Sequence, residues 1–374
     1  MRVVQINSVP YGSTGRVMRQ CHDQYVADGW ESWMMWGRGR RAESPHEFKF
    51  SLPGGFPLDV GLTLLDGRAG FHSRAATKRL LRKLDEIDPD VVHLHNIHGY
   101  YLNVEMLFHW LKGHYCSVRW TLHDCWAFTG HCAYFTYAQC SQWKDLSCSH
   151  KPCPQQRSYP PSIVCDSADK CFALKKKLFT ALPADRMEII TPSEWLSGLV
   201  GDSFLSKYPV TVKHNTIDTA VFKPEVNTFR QDHSIGDRFL ILGVATPWGE
   251  RKGFEDFVKL AGDVDKRVAI VMVGLTKRQI HSLPANVIGL KRVESARELA
   301  KIYSAADVLF NPTKEDNYPS VLLEAQASGT PVVTYDVGGC AETLVDSRSR
   351  SVDGYDQAVR VIMEMADYKF SSIR

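Results

Sequence analysis

The sequence predicts an α/β protein of two Rossmann-like domains, each a parallel sheet covered by helices. Short Val- and Ile-rich runs alternate with longer amphipathic segments, the pattern of strands buried on both faces between helical crossovers. The alternation occurs twice, on either side of a polar stretch rich in turn formers. With 374 residues, 44% hydrophobic and 23% charged, the chain is long enough for two cores.

In the first half, strands are expected at 3–9, 91–94, 118–122 and 188–191, and in the second at 239–244, 269–273, 308–311 and 331–334. The first domain is expected to span 1–212, interrupted at 129–161 by a Cys-, Pro- and aromatic-rich stretch that reads as an ordered insertion. A linker at 213–237 carries Asn215, Asp218 and Pro224. The second domain follows at 238–354, and 355–374 contains a helix at 355–365.

Formal net charge is +3, which does not call for a nucleic-acid partner. No apolar run approaches the roughly 18 residues that span a bilayer, and no secretory leader is read at the N-terminus. The expectation is therefore a cytoplasmic protein, and its ten cysteines are expected as thiols or metal ligands. The segment 171–182 combines Phe172, Leu174, Leu178 and Phe179 with Lys175, Lys176 and Lys177. That mix suits a helix docked at the inner face of a membrane, or an ordinary amphipathic surface helix.

The most informative stretch is 311–343. A strand ends at Asn311, a polar loop follows, Pro319 sits at a helix start, and a short helix from Ser320 leads into the next strand. Such a unit puts ligands at the carboxyl edge of a sheet. At the loop and helix start, Asn317, Tyr318, Pro319 and Ser320 are assigned to the donor, the backbone N–H groups there, Pro319 excepted, being suited to phosphate oxygens. Glu324 can accept two hydrogen bonds from a ribose diol. Taken singly, Glu324 reads as a solvated helix residue and Asp316 as a cap; together, eight residues apart in this setting, they read as a site.

Asp316, Glu324 and the following AQASGTPVV resemble the acidic pair and helix of the retaining glycosyltransferases of family 4, whose fold is GT-B, two Rossmann-like domains facing across a cleft. The family usually has Glu at the first acidic position. Here Glu315 precedes Asp316, as in a bacterial capsule, colanic-acid and O-antigen subgroup with an EDN-aromatic-Pro form, and either acid could face the donor. TPSEWL at 191–196 and HNTIDTAVF at 214–222 also resemble family segments, so the likeness covers nearly the whole chain. In relatives the last helix crosses back to brace the first domain.

Following another strand, GVATPWGERKGFEDF places Arg251 and Lys252 near the same sheet edge, where cations could neutralise a leaving diphosphate; solvated surface charge is the plainer reading. Relatives carry an Arg five or six residues before this Lys, where this chain has Thr246 and Pro247. Gly12 and Gly15 permit close backbone approach at a helix start, and the resemblance makes them the glycine loop facing the donor sugar. No GxGxxG follows, which counts against a dinucleotide dehydrogenase. His123 with Asp124, after a strand, resembles the family's position at the reaction centre, although a lone His there is commonly structural. His95, Asn96 and His98, and secondarily 66–73, are assigned to the acceptor side.

Cys132, Cys140, Cys148 and Cys153 lie close enough in sequence to surround one structural zinc ion, or to be buried free thiols. No DxD-type site is evident, so no catalytic metal is expected. The resemblance implies transfer of a hexosyl unit, with retention, from a nucleoside-diphosphate sugar to a saccharide acceptor of a lipid-linked bacterial surface polysaccharide. A nucleotide-sugar epimerase and an inactive nucleotide-sugar-binding protein are the rival readings.

Overall fold

The computed structural model describes residues 1–144, 148–293 and 295–372. Its chain divides into two compact units, Met1–His214 and Asn215–Arg374. The first unit's sheet contains β1 (Arg2–Asn7), β2 (Glu31–Trp36), β3 (Glu47–Lys49), β4 (Val91–Leu94), β5 (Ser117–Thr121), β6 (Met187–Thr191) and β7 (Val210–Val212). They lie in the order β3-β2-β1-β4-β5-β6-β7, parallel throughout. Val3, Val4, Ile6, Val92 and Leu94 are fully buried, because crossover helices cover the sheet. These are α1 (Gly12–Ala27), α2 (Gly55–Asp66), α3 (Arg74–Ile87), α4 (Val104–Gly113), α5 (Ala168–Phe179) and α6 (Glu194–Gly201).

The second unit repeats the plan with β8 (Phe239–Val244), β9 (Val268–Val273), β10 (Val287–Leu290), β11 (Val308–Asn311), β12 (Val332–Tyr335) and β13 (Arg350–Val352), in the order β10-β9-β8-β11-β12-β13. Its helices are α7 (Phe229–Asp232), α8 (Phe254–Asp263), α9 (Lys277–Ser282), α10 (Ala296–Ala305), α11 (Ser320–Ala327) and α12 (Tyr355–Ser372). In each sheet the winding reverses between two adjacent strands, β1 and β4 in the first, β8 and β11 in the second. Loops leaving such a pair diverge and open a crevice at the strands' carboxyl ends. The candidate residues follow from this, since β1 runs into Gly12, β4 into His95, β8 into Lys252 and β11 into Asp316.

The expected linker, 213–237, contains the boundary between the units at His214, and part of it is packed: Phe222 and Ile235 are buried in the second unit's core, with α7 among them. In the last helix Ala358, Ile362 and Ala366 are buried in the second unit's other core cluster, and Lys369 Nζ donates to Asp307 at 2.8 Å. The lysine-rich helix α5 turns Phe172, Leu178, Phe179 and Lys175 itself into the first core, leaving little apolar surface for a membrane. Within the described part of the Cys-rich insertion, Trp143 packs 4.9 Å from Phe135 and 5.3 Å from Phe128, centroid to centroid. No helix among the described residues is long and apolar enough to cross a membrane.

Candidate active site

In the second unit the loops after β8 and β11 are clasped together. Lys252 Nζ forms an ion pair with Asp316 Oδ2, both side chains being mostly buried. Arg251 Nη1 donates to the Glu315 carbonyl at 2.9 Å, and Lys314 N donates to the Arg251 carbonyl at 2.8 Å. Gly253, at φ 72°, lies so close to Pro312 that a Cβ would stand 2.3 Å from its carbonyl oxygen. On the other flank Gly338, at φ 59°, would put a Cβ 1.8 Å from the Asp316 oxygen, and Gly339 N donates to that oxygen at 3.3 Å. Only glycine fits either position. Of the two adjacent acids, Asp316 meets Lys252, whereas Glu315 is buried at 4% exposure.

Glu324 lies inside α11 with 1% exposure, and its Oε2 accepts from the Tyr303 hydroxyl at 3.1 Å. It is not the solvated acid that the alternative reading made it. Asn317, Tyr318 and Pro319 are buried and Ser320 half-buried, around the start of α11. Arg251, placed by the sequence beside a diphosphate, has at least one guanidinium nitrogen engaged in the clasp.

In the first unit, Asn7 at the end of β1 joins two loops. Its Oδ1 accepts from Ser8 N at 2.8 Å and Asn96 N at 3.3 Å, and its Nδ2 donates to the Val9 carbonyl at 3.0 Å. Gly12 has φ 72° with open space beside it, whereas a Cβ on Gly15 would stand 2.5 Å from the Pro10 carbonyl carbon. Gly15 therefore serves the packing of its own loop.

Three imidazoles stack along the edge of β4 and β5. His93 and His95 rings lie 4.4 Å apart, His95 and His123 5.5 Å. Burial drives their pKa values down, that of His93 to about 3, helped by Arg119, and that of His123 to about 4, against the pull of Asp124; His95 falls well below the usual value for the same reason. All three are neutral at ordinary pH. Next to them His98 Nε2 meets Asp124 Oδ2 at 2.8 Å, and Trp126 N donates to Asp124 Oδ1 at 2.9 Å. Although burial pushes the Asp124 carboxyl up, His98 and the Trp126 N–H bring it below the usual range. His98 Nδ1 is buried with no hydrogen-bond partner. A pocket lined by Asn96, His98, Trp120, His123, Asp124 and Trp126 opens here.

Asn7, Gln5 and Gly338 are candidate site residues that the sequence reading does not name, whereas Asp124 is named there beside His123. The available signal was position: a polar residue at the carboxyl end of a central strand, and a Gly-Gly pair after β12.

The four clustered cysteines are free thiols, and among the described residues no three His, Cys, Asp or Glu are placed to hold a metal ion. Cys132 and Cys148 are buried in the first core with Phe128, Phe135 and Trp143. Burial pushes the Cys148 thiol up to about 12 and Cys132 also well above its usual value.

Residues 237–364 match the family described as Glycosyl transferases group 1. Along 94% of this chain and 87% of the relative, the sequence is 26% identical to the putative colanic acid biosynthesis glycosyl transferase WcaC of Escherichia coli (strain K12). This part of the chain, residues 237–364, belongs to the group 1 glycosyl transferases. Its fold is GT-B. Sucrose-phosphate synthase from Thermosynechococcus elongatus superposes with a TM-score of 0.70 at 14% identity, covering 99% of this chain and 90% of that one. Anabaena Alr3699/HepE in complex with UDP-glucose gives 0.63 at 12% identity, covering 99% and 92%. In this chain the β8–β11 crevice, within the matched residues, and the β1–β4 crevice of the first unit are the places where fold and polar side chains coincide.

Proposed function

We propose that this glycosyltransferase transfers a hexosyl unit, with retention of configuration, from a nucleoside-diphosphate sugar to a saccharide acceptor of a lipid-linked surface polysaccharide. The Lys252–Asp316 pair on the clasped loops carries the reading. A lysine held at the carboxyl edge of β8 by a fixed carboxylate is ready to exchange part of that contact for a diphosphate. In this reading Glu324 accepts the ribose hydroxyls, and the N–H groups of Asn317, Tyr318 and Ser320 meet phosphate oxygens, with Pro319 holding the turn between them.

Charge on the diphosphate rises as the glycosidic bond breaks, so Lys252 stabilises the transition state more than the ground state. The leaving diphosphate takes the proton of the acceptor hydroxyl, which attacks from the same face of the sugar; no covalent glycosyl-enzyme and no catalytic metal is invoked. In the first unit, His123 presents a neutral imidazole to the donor sugar, Gly12 leaves its loop open to that sugar, and Asn96 with the His98–Asp124 pair orients the acceptor. The UDP-glucose held by HepE and the colanic-acid role of WcaC support the donor class and the polysaccharide setting. Incubation with radiolabelled UDP- and GDP-sugars, with and without lipid-linked oligosaccharide, tests it. Label appearing in the lipid-linked product is expected; sugar interconversion without acceptor would mean an epimerase, and binding without turnover an inactive binding protein.

A further inference from the structure

The turn after β2 reads Gly37-Arg38-Gly39 and is wedged in place. A Cβ on Gly37 would stand 2.1 Å from the Tyr101 ring, and one on Gly39, at φ 97°, 2.5 Å from the Tyr11 ring. Arg38 N donates to the Ser8 carbonyl at 2.9 Å, which ties the turn to the loop leaving β1. Because β1 and β2 pair in parallel with Asn7 opposite Trp36, Arg38 stands on the carboxyl edge, one strand from the β1–β4 crevice. Its guanidinium lies 4.8 Å from the Phe56 ring centroid. Nη2 and the Tyr159 hydroxyl each come within 3.4 Å of the point where a Cβ on Gly99 would stand. Gly99 has φ 108° and Tyr100 φ 66°, so the loop after β4 takes an uncommon backbone where these groups converge.

This half-buried cation has no counter-ion. Arg38 Nε is buried with no hydrogen-bond partner, and among the described residues no carboxylate meets the guanidinium. Two residues on, Arg40 shows the usual arrangement, held by Glu47 at 2.9 Å and Glu43 at 3.1 Å. The carboxylates that bear electrostatically on Tyr100 and Tyr159 are engaged elsewhere: Asp59 by Thr63 and Ser73, Asp124 by His98 and the Trp126 N–H. A buried donor left unpaired costs stability, and the arginine fork is the side chain best matched to a two-oxygen anion. The surroundings are aromatic and partly open, Tyr159 being 47% and Tyr11 51% exposed. Tyr159 leads from Arg38 to the His98–Asp124 pair, its ring 5.7 Å from that of His98. Flat rings with polar tips suit a pyranose, which is apolar on its faces and hydroxylated at its rim.

We propose that Arg38 forms an oxyanion subsite for an acidic saccharide, its guanidinium clasping a carboxylate or phosphate of the sugar while Tyr159 and Tyr11 flank the ring. An acidic sugar answers both the unpaired cation and the open rings, whereas a neutral one leaves the guanidinium without a partner. That this saccharide is the acceptor rests on the function proposed above; the oxyanion subsite itself does not.

The test is ligand-observed NMR titration of the full chain, with UDP in excess to keep phosphate out of the donor crevice, using methyl glucuronide, glucose 6-phosphate and neutral methyl glucoside. At least one acidic sugar should bind at least about tenfold more tightly than methyl glucoside, the scale of one charge-assisted fork. Preference for the glucuronide assigns a carboxylate within the glycan, preference for the phosphate a phosphorylated one. Arg38→Gln should abolish the preference and leave methyl glucoside binding unchanged. Arg38→Met removes the unpaired Nε and keeps the apolar stem, so it should melt at or above the wild-type temperature while losing the same preference; an arginine that only props Phe56 would lose stability and spare the preference. Acidic sugars binding no better than the neutral one, a folded Arg38→Gln retaining the preference, or equal weakening of all three probes would each overturn the proposal. Transfer of label by a chain without the preference would remove the subsite and leave the transferase standing, and the preference without transfer from any donor would do the opposite.

Discussion

The Nδ1 of His95 lies 3.3 Å from the Nε2 of His123, while the other ring nitrogen of His95 lies 3.2 Å from Gln5 Oε1. With a carbonyl oxygen at one end, His95 carries its proton on Nε2 and accepts at Nδ1, so His123 donates from its Nε2. A buried residue in the middle of β1 thereby sets the tautomer of a candidate reaction-centre histidine. Gln5→Leu should lower turnover by about tenfold with little change in donor KM. Steady-state kinetics showing equal losses in both would assign Gln5 to binding instead.

The same buried imidazoles tie stability to pH. Their folded pKa values lie below the unfolded value of about 6.5, so the folded state binds fewer protons than the unfolded one between that value and about 4 for His123 or about 3 for His93. Their contribution is intact above pH 6.5 and is lost as pH falls, at up to about 1.4 kcal/mol per pH unit for each histidine. Thermal melts from pH 7 to 4.5 should show Tm falling, and His93→Gln should flatten the slope.

Lys252→Ala should reduce turnover at saturating donor by on the order of 100-fold, the scale of one preorganised charge donor. Wild-type turnover at saturation would remove Lys252 from the chemistry.

Glu324 behaves differently because it is buried. Glu324→Ala removes the acceptor of the Tyr303 hydroxyl bond and should cost about 1–3 kcal/mol of stability as well as donor affinity, whereas the isosteric Glu324→Gln keeps an oxygen there and should lose mainly affinity. Denaturant melts beside calorimetric titration with UDP and GDP separate the two effects.

Lys175 is fully buried, with Nζ 2.7 Å from the Trp126 carbonyl and 3.7 Å from its ring centroid. Burial lowers its pKa to about 8, so the cost of holding it charged is present below pH 8 and fades as pH rises toward 10.5. Lys175→Met should be neutral or stabilising at pH 7, while Lys175→Glu should be severely destabilising. Melting temperatures of the two variants check this.

The sheets were legible where β-branched residues concentrate, at β4, β8 and β11, whose expected and observed bounds coincide. β2 was missed because ESWMMW carries no β-branched residue, and β3, β7 and β13 because three residues leave no period to read. The Asp316–Lys252 meeting required tertiary structure: 64 residues separate them in sequence, and only the adjacency of β8 and β11 brings their loops together. Helix α5 misled for another reason. Its lysines look interchangeable in sequence, yet Lys175 is buried and Lys176 and Lys177 are exposed.

Gly253 and Gly338 press on the acidic loop from two sides, one against Pro312 and the other against Asp316. A segment wedged in this way has no room to swing, so it acts as a template and not as a lid. Recognition of a diphosphate by Lys252 and the α11 start would then draw on dipoles already aimed, with little ordering entropy lost on arrival. Whatever closes over a bound sugar nucleotide must be carried by some other part of the chain.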